Sequence, residues 1–109
     1  MGIFLGAVVL NVSDTGRAAQ FWGQALGYSA DPDDPAFLAL STGGGPRLHL
    51  DTNDRTHLDL WVDRTGSDLQ TEVERFISLG AQRVEWEYPP DADFVVLADP
   101  DGNLFCVIA

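Results

Sequence analysis

The sequence predicts an α+β domain built from two copies of one strand–helix–strand–strand–strand unit. Three observations carry this prediction. Apolar residues alternate with other residues along residues 7–12 and again along His57–Val62, as they do in half-buried strands. A stretch with helical apolar spacing follows each strand, and Gly27 and Gly80 are placed to end the two helices. Since three strand-like segments then follow each helix, we expect two helices on one side of curved sheets, with the other side lining a cup-shaped cavity.

In the first copy, the strand is expected at about residues 3–12, with its apolar side chains at Val8, Leu10 and Val12. Asp14 is a good helix N-cap, because its carboxylate can accept amide protons of the first turn. Ala18 to Leu26 then form the apolar stripe of the helix, in which Trp22 is expected to belong to the core. The remaining segments are a polar loop at residues 29–35, a strand at 37–40, a turn at 41–46 and a strand at 47–51.

The second copy repeats this order. Ser67 is the predicted cap of its helix, and the buried stripe runs from Leu69 through Val73 and Phe76 to Ile77. Strands are expected at about residues 82–88, 93–98 and 103–108, and the sequence DPDGN joins the last two by a tight turn.

Length and charge limit the classes of function. With 109 residues, the chain is expected to form one domain, with a first module at about residues 1–52 and a second at about 53–109. Seventeen acidic residues against six basic ones give a net charge of −11, which opposes binding to nucleic acids or anionic lipid. The charge would favour a cationic ligand, or, in the alternative interpretation, it only keeps the protein soluble. The lone Cys106 excludes an internal disulfide, and the apolar N-terminal stretch is too short to span a membrane. We therefore predict a cytoplasmic protein.

The strand His57–Val62 carries the strongest functional signal. His57, Asp59 and Trp61 share the face opposite Leu58, Leu60 and Val62. A histidine, a carboxylate and an indole are groups that a binding cavity needs, since an indole beside a carboxylate attracts flat or cationic molecules. In the alternative interpretation, Trp61 fills the cavity as a packing residue and Asp59 pairs with Arg47 or Arg55.

Six short motifs follow one another along the chain: Ser13-Asp14, Phe21-Trp22, Leu26-Gly27, His57 to Leu60, Leu79-Gly80-Ala81 and Asp99 to Asn103. Their order resembles the vicinal oxygen chelate superfamily, and within it the short glyoxalase-like and bleomycin-resistance-like proteins. This resemblance implies paired βαβββ modules around a cup-shaped cavity, commonly in a homodimer. It also implies that enzymes of this type hold a divalent metal that chelates two neighbouring substrate oxygens, whereas drug-binding members lack the metal.

The resemblance further implies four metal-ligand positions, which are Ala7, His49, His57 and Cys106 in this chain. One ligand is absent at Ala7, and the carboxylate expected at the last position is replaced by the Cys106 thiol. His49, His57 and Cys106 could still hold zinc, which accepts imidazole nitrogen and thiolate sulfur and needs only three protein ligands at an open site. In the alternative interpretation, Cys106 is a small apolar core residue and the histidines are only hydrogen-bonded.

The leading prediction is a dimeric small-molecule-binding protein that sequesters or recognises an aromatic or cationic ligand without a cofactor. Its predicted ligand-binding residues are His49, His57, Asp59 and Trp61. The alternative is a metal-dependent lyase, isomerase or dioxygenase that uses zinc, nickel, iron or manganese on a substrate with vicinal oxygens. A third possibility is a vestigial cavity in a protein that acts only through its surface.

Overall fold

The computed structural model describes residues 2–40 and 45–109 and confirms the α+β class. The chain divides into two compact units. The N-terminal unit consists here of residues 7–40 and 45–56, and the C-terminal unit of residues 2–6 and 57–109. The elements are β1 (Ile3–Asn11), α1 (Thr15–Leu26), β2 (Ser29–Asp31), β3 (Asp34–Ala39), β4 (Arg47–Asp51), β5 (His57–Val62), α2 (Leu69–Ser78), β6 (Gln82–Arg83), β7 (Phe94–Ala98) and β8 (Leu104–Ile108).

The N-terminal unit pairs its strands in the order β2-β3-β4-β1. β1 runs parallel to β4, whereas β2–β3 and β3–β4 are antiparallel. The predicted polar loop at residues 29–35 is wrong at both ends, because Ser29–Asp31 forms β2 and the last two residues of the predicted loop belong to β3. Its acidic residues serve the hairpin: Asp31 accepts a hydrogen bond from the Asp33 amide and Asp34 accepts one from the Ala36 amide. Most of the turn predicted at 41–46 lies outside the described residues.

Helix α1 begins and ends as predicted but is less buried than its apolar stripe indicates. The Asp14 carboxylate accepts the Arg17 amide proton at 3.0 Å, and Gly27 ends the helix with a φ of +69°. None of the residues of α1 is buried, so the expectation that Trp22 belongs to the core is wrong. Trp22 instead packs edge to face against the exposed Phe21. Helical periodicity indicates which side of a helix is apolar, but not how deeply that side is covered.

The C-terminal unit has strand order β6-β7-β8-β5, in which β5 and β8 are parallel and the other pairs antiparallel. Residues 2–6 join it partly through the Asp63 amide, which donates to the Gly2 carbonyl at 2.7 Å. Leu58 shares the face of Leu60 and Val62 as predicted, but it is exposed. The core lies between α2 and one face of this sheet and contains Val62, Val73, Ala81, Leu97, Phe105 and Val107, with Leu60 and Phe76 packed against it.

Helix α2 corrects the predicted cap by one residue. Asp68, not Ser67, accepts the amide proton of the first turn, from Thr71 at 2.8 Å. The Ser67 hydroxyl instead donates to the Glu72 carboxylate at 2.7 Å. Gly80 ends the helix as predicted, with a φ of +113°. Ile77, predicted to be buried, is exposed.

The strand predicted at residues 82–88 ends at Arg83, so Trp86 and Tyr88 do not alternate on a strand. The Tyr88 hydroxyl accepts the Val96 amide proton at 2.9 Å, which gives that amide of β7 a side-chain partner instead of a strand partner. Pro89 and Pro90 follow at once and have no amide proton to donate to a sheet. The turn predicted between the last two strands is confirmed, with the Asp99 carboxylate accepting the amide protons of Asp101 and Asn103.

Glu72 is the buried acidic residue of α2, and it gives an expected pH dependence of stability. Its side chain is 95 % covered, and hydrogen bonds from the Ser67 hydroxyl and then from Arg75 lower its pKa below the ordinary 4.5. Because the unfolded chain takes up this proton first, the stabilisation is fully present above pH 4.5 and is lost as the pH falls through the folded pKa. We expect Glu72→Gln to lower the free energy of unfolding by about 2 kcal/mol at pH 7 and by less at pH 3.

Urea unfolding at a series of pH values measures this effect. The matched control is Glu74→Gln, since Glu74 is exposed and accepts a hydrogen bond from the Gln70 side chain. A loss for Glu72→Gln that does not change with pH would contradict the assignment.

Neither helix within the described part of the chain is long and apolar enough to cross a membrane. The homodimer, the cup formed by two modules and the cytoplasmic location stay predictions.

Candidate functional site

The sheet of the C-terminal unit has a second face, opposite the face that packs against α2. Side chains alternate along a strand, and Leu60 and Val62 of β5 and Val107 of β8 belong to the side that faces the helix. The other side therefore carries His57, Asp59 and Trp61 of β5 together with Cys106 and Ile108 of β8. We call these five residues the site face.

His57 and Asp59 form a close pair on the site face. The Nε2 atom of His57 lies 3.1 Å from Oδ1 of Asp59, which is hydrogen-bonding distance, and only 8 % and 16 % of the two side chains are exposed. The two residues are two positions apart on one strand, so the backbone itself brings them to the same side. A largely buried carboxylate needs a donor or a cation beside it, and His57 meets this need.

Cys106 completes a group of three metal-ligating side chains with this pair. β5 and β8 are paired so that Cys106 lies directly beside Asp59. One ligand atom from each of His57, Asp59 and Cys106 lies within 4.8 Å of the other two. Neighbouring ligands of tetrahedral zinc are separated by about 3.3–3.7 Å, given zinc–ligand distances of about 2.0–2.3 Å. An imidazole, a carboxylate and a thiol at these distances fit a divalent metal after small movements of the side chains.

Trp61 lies at the other end of the site face, where Gly6 determines its position. A Cβ atom built on Gly6 would lie 2.5 Å from indole atoms of Trp61, so no other residue leaves room for the indole in this position. Phe4, two residues earlier on β1, meets Trp61 edge to face with 6.1 Å between ring centroids. About half of the Phe4 side chain is exposed. The two rings therefore form an aromatic wall that a ligand can reach.

A cavity of about 380 Å³ opens beside this wall. Its volume lies at the lower end of the range of small-molecule sites. It is mainly apolar, and Arg64, which follows the end of β5, provides its cationic side chain. The residues that line it are Phe4, Trp61, Val62, Arg64, Ile108 and Ala109.

His49 and Ala7, the other two predicted ligand positions, belong to the N-terminal unit. The His49 imidazole is tilted by 31° against the Phe37 ring at a centroid distance of 5.0 Å, and its Nε2 atom is 4.0 Å from Oδ2 of Asp34. Ala7 is buried, and its methyl group offers no ligand atom. The part of His49 in a metal or ligand site stays a prediction.

Sequence reasoning identified some of these neighbours and missed others. Alternation placed His57, Asp59 and Trp61 on one face, as the structure does. It did not bring Asp59 to Cys106, because these residues are 47 positions apart and their contact depends on how β5 and β8 are paired. It also missed Phe4 and Gly6, although a glycine within an apolar strand is a signal of close backbone approach.

The family of the chain follows from comparison with known proteins. A family model described as a glyoxalase-like domain matches residues 7–108, nearly the whole chain. The protein therefore belongs to the glyoxalase-like domain family, and the predicted relationship to the vicinal oxygen chelate superfamily is confirmed. No curated protein matches the chain.

Three of the solved structures that are similar to the chain come from two named organisms and one metagenome. A member of the glyoxalase/bleomycin resistance protein/dioxygenase superfamily from Sphaerobacter thermophilus is 19 % identical, with 96 % of this chain and 95 % of that one covered and a TM-score of 0.39. A glyoxalase-related enzyme from Fulvimarina pelagi is 20 % identical, with coverage of 96 % and 86 % and a TM-score of 0.36. An integron cassette protein from the mobile metagenome of the Halifax Harbour sewage outfall is 22 % identical, with coverage of 97 % of both chains and a TM-score of 0.36.

Proposed function

We propose that the protein binds a small, flat organic cation on the site face of its C-terminal unit. The observation that carries this proposal is the aromatic wall of Trp61 and Phe4, which borders a cavity and lies next to a carboxylate on the same strand. Asp59 is two positions before Trp61, so their side chains start about 7 Å apart, roughly the length of a fused bicyclic ring. One ligand can therefore contact both.

The charges around the wall favour one orientation of such a ligand. Arg64 lies at the cavity beyond the end of β5, whereas Asp59 lies on the other side of Trp61 along the strand. A cationic nitrogen is attracted to Asp59 and repelled by Arg64, while the rings stack on Trp61 and Phe4. The net charge of −11 raises the local concentration of cations around the whole molecule.

A pair of isosteric probes tests the binding site. We expect 1-methylquinolinium to bind more tightly than neutral 1-methylnaphthalene in calorimetric titrations of chelator-treated protein. Asp59→Asn should weaken binding of the cation about tenfold and leave the neutral probe within about threefold, because only the cation uses the carboxylate. Trp61→Leu should weaken both probes about tenfold, because both stack on the indole.

Two exposed residues provide matched controls. Asp101→Asn removes the same charge and Trp86→Leu removes the same ring, and both residues are exposed and lie outside β5 and β8 in the sequence. Equal affinity for the cation in Asp59→Asn and Asp101→Asn would overturn the role of Asp59. Equal affinity in Trp61→Leu and Trp86→Leu would overturn the role of the aromatic wall.

The group of His57, Asp59 and Cys106 supports a second candidate, a metal-dependent enzyme that acts on a substrate with vicinal oxygens. The three side chains would hold the ion, which supplies Lewis-acid polarisation of the substrate oxygens when it is bound. Trp61 and Phe4 would then hold the rest of the substrate. Turnover of vicinal dicarbonyls or catechols that requires added zinc, nickel, iron(II) or manganese and is lost in His57→Gln would support this function. An absence of turnover with every metal would contradict it.

A further inference from the structure

We infer that Asp59 is a metal ligand, and that the chain holds zinc through His57, Asp59 and Cys106 within its C-terminal unit alone. This inference supplies the metal site that the second candidate function needs and rests on the geometry of those three side chains. It does not depend on the proposed binding of an organic cation, which is tested in metal-free protein. It differs from the four positions implied by family resemblance, because it replaces Ala7 and His49 with one carboxylate on β5.

The positions of the ligand atoms support this assignment. His57 and Asp59 point to the same side of β5 with 3.1 Å between their nearest side-chain atoms, and Cys106 is the direct neighbour of Asp59 on β8. Two adjacent, hydrogen-bonded strands thus bring all three ligand atoms within 4.8 Å of one another. Because backbone pairing of β5 and β8 holds these three side chains next to one another, only small side-chain movements are needed for them to bind an ion.

Burial of the carboxylate supports a cation at the same place. Asp59 retains only 16 % of its side-chain exposure on a sheet face that it shares with Trp61 and Ile108. A divalent ion would compensate the charges of both the Asp59 carboxylate and a Cys106 thiolate.

The donor atoms select among metals. Thiolate sulfur and imidazole nitrogen favour zinc and cobalt, whereas magnesium and manganese prefer sites made of oxygen ligands. Three protein ligands leave a fourth tetrahedral position open to water or to a substrate oxygen. The site is therefore expected to discriminate strongly between zinc and magnesium.

Cobalt(II) is the probe for the test, because thiolate coordination and tetrahedral geometry both give characteristic absorption bands. Wild-type protein, purified without a tag and stripped with chelator, should bind one cobalt per chain with a thiolate charge-transfer band. Zinc should displace the cobalt, and a large excess of magnesium or manganese should not. Asp59→Asn should weaken cobalt binding by about 100-fold or more, since changes to mere supporting partners of metal ligands already cost about 10- to 100-fold.

The control variant His49→Gln distinguishes this inference from the ligand set implied by the family. We expect its cobalt affinity to remain within about threefold of the wild-type value, because its imidazole is not one of the proposed ligands. An equal loss in His49→Gln and Asp59→Asn would overturn the inference, and so would a cobalt spectrum without a thiolate band.

A measurement on the unaltered chain avoids the risk that a variant fails to fold. Cys106 is the only cysteine of the sequence, so alkylation of the protein by iodoacetamide at a thiol reports on this residue alone. One equivalent of zinc should slow alkylation at least tenfold, and magnesium should leave the rate unchanged. Equal alkylation rates with and without zinc would overturn the inference. This outcome is independent of whether chelator-treated protein binds 1-methylquinolinium, so the two proposals can fail separately.

Discussion

Replacing Gly6 with alanine is expected to lower the free energy of unfolding by about 1–3 kcal/mol and to weaken the binding of 1-methylquinolinium about tenfold. The added Cβ atom would lie 2.5 Å from the Trp61 indole, well inside van der Waals contact, so that either the indole or the β1 backbone must move. Gly6 is buried, and little space is left for relaxation. Both effects have one cause, the displacement of Trp61.

Gly16→Ala is the matched control for this substitution. A Cβ atom at Gly16 would have its nearest neighbour, Oδ1 of Asp14, at an ordinary 3.5 Å. Because Gly16 lies in α1, alanine there should leave stability unchanged or raise it by up to about 1 kcal/mol. Urea unfolding and the calorimetric titration measure the two effects. A stable Gly6→Ala variant with wild-type affinity would show that Trp61 does not need its position over Gly6.

Leu97→Ala is expected to be the most destabilising of the substitutions considered, with a loss of about 2–5 kcal/mol in the free energy of unfolding. Leu97 has no exposed surface and lies in the cluster formed by Val73, Phe105 and their neighbours between α2 and the sheet. Truncation removes buried apolar surface and leaves a cavity. A loss of this size approaches the whole stability of a small domain.

The same change at Leu79 provides the comparison, since the Leu79 side chain is 66 % exposed. Leu79→Ala should change the free energy of unfolding by less than about 0.5 kcal/mol. Urea unfolding of both variants measures the difference. Similar losses in the two variants would contradict the placement of Leu97 in the core.

Local sequence signals predicted the parts of the fold that depend on local chemistry. The bounds of β4 and β5 agree with the predicted segments, since period-two alternation identifies a strand directly. The Asp14 cap and the Asp99 turn were predictable because each depends on hydrogen bonds within four residues. Ser67 was the wrong cap because Ser67 and Asp68 are adjacent and both types of side chain can cap a helix. The backbone conformation, which the sequence does not show, determines that Asp68 is the residue that accepts the Thr71 amide proton.

Features that depend on distant partners could not be predicted in the same way. β2 was missed because its polar residues have little strand propensity and are held by pairing with β3. The strand that contains β6 was predicted too long. No signal within residues 82–88 indicates that the Tyr88 hydroxyl accepts a hydrogen bond from the Val96 amide of β7. At the site, alternation along β5 revealed which residues share a face. The proximity of Asp59 to Cys106 and of Gly6 to Trp61 depends on tertiary structure.

The most direct test of ligand binding on the site face is a nitrogen–proton correlation spectrum of the three tryptophan indoles during titration with 1-methylquinolinium. Trp22 on α1 and Trp86 after β6 serve as internal controls within the same sample. We predict that the Trp61 indole signal shifts progressively and saturates, while the other two stay in place. A shift confined to Trp22 or Trp86, or no shift of Trp61 at saturating probe, would contradict the proposed site.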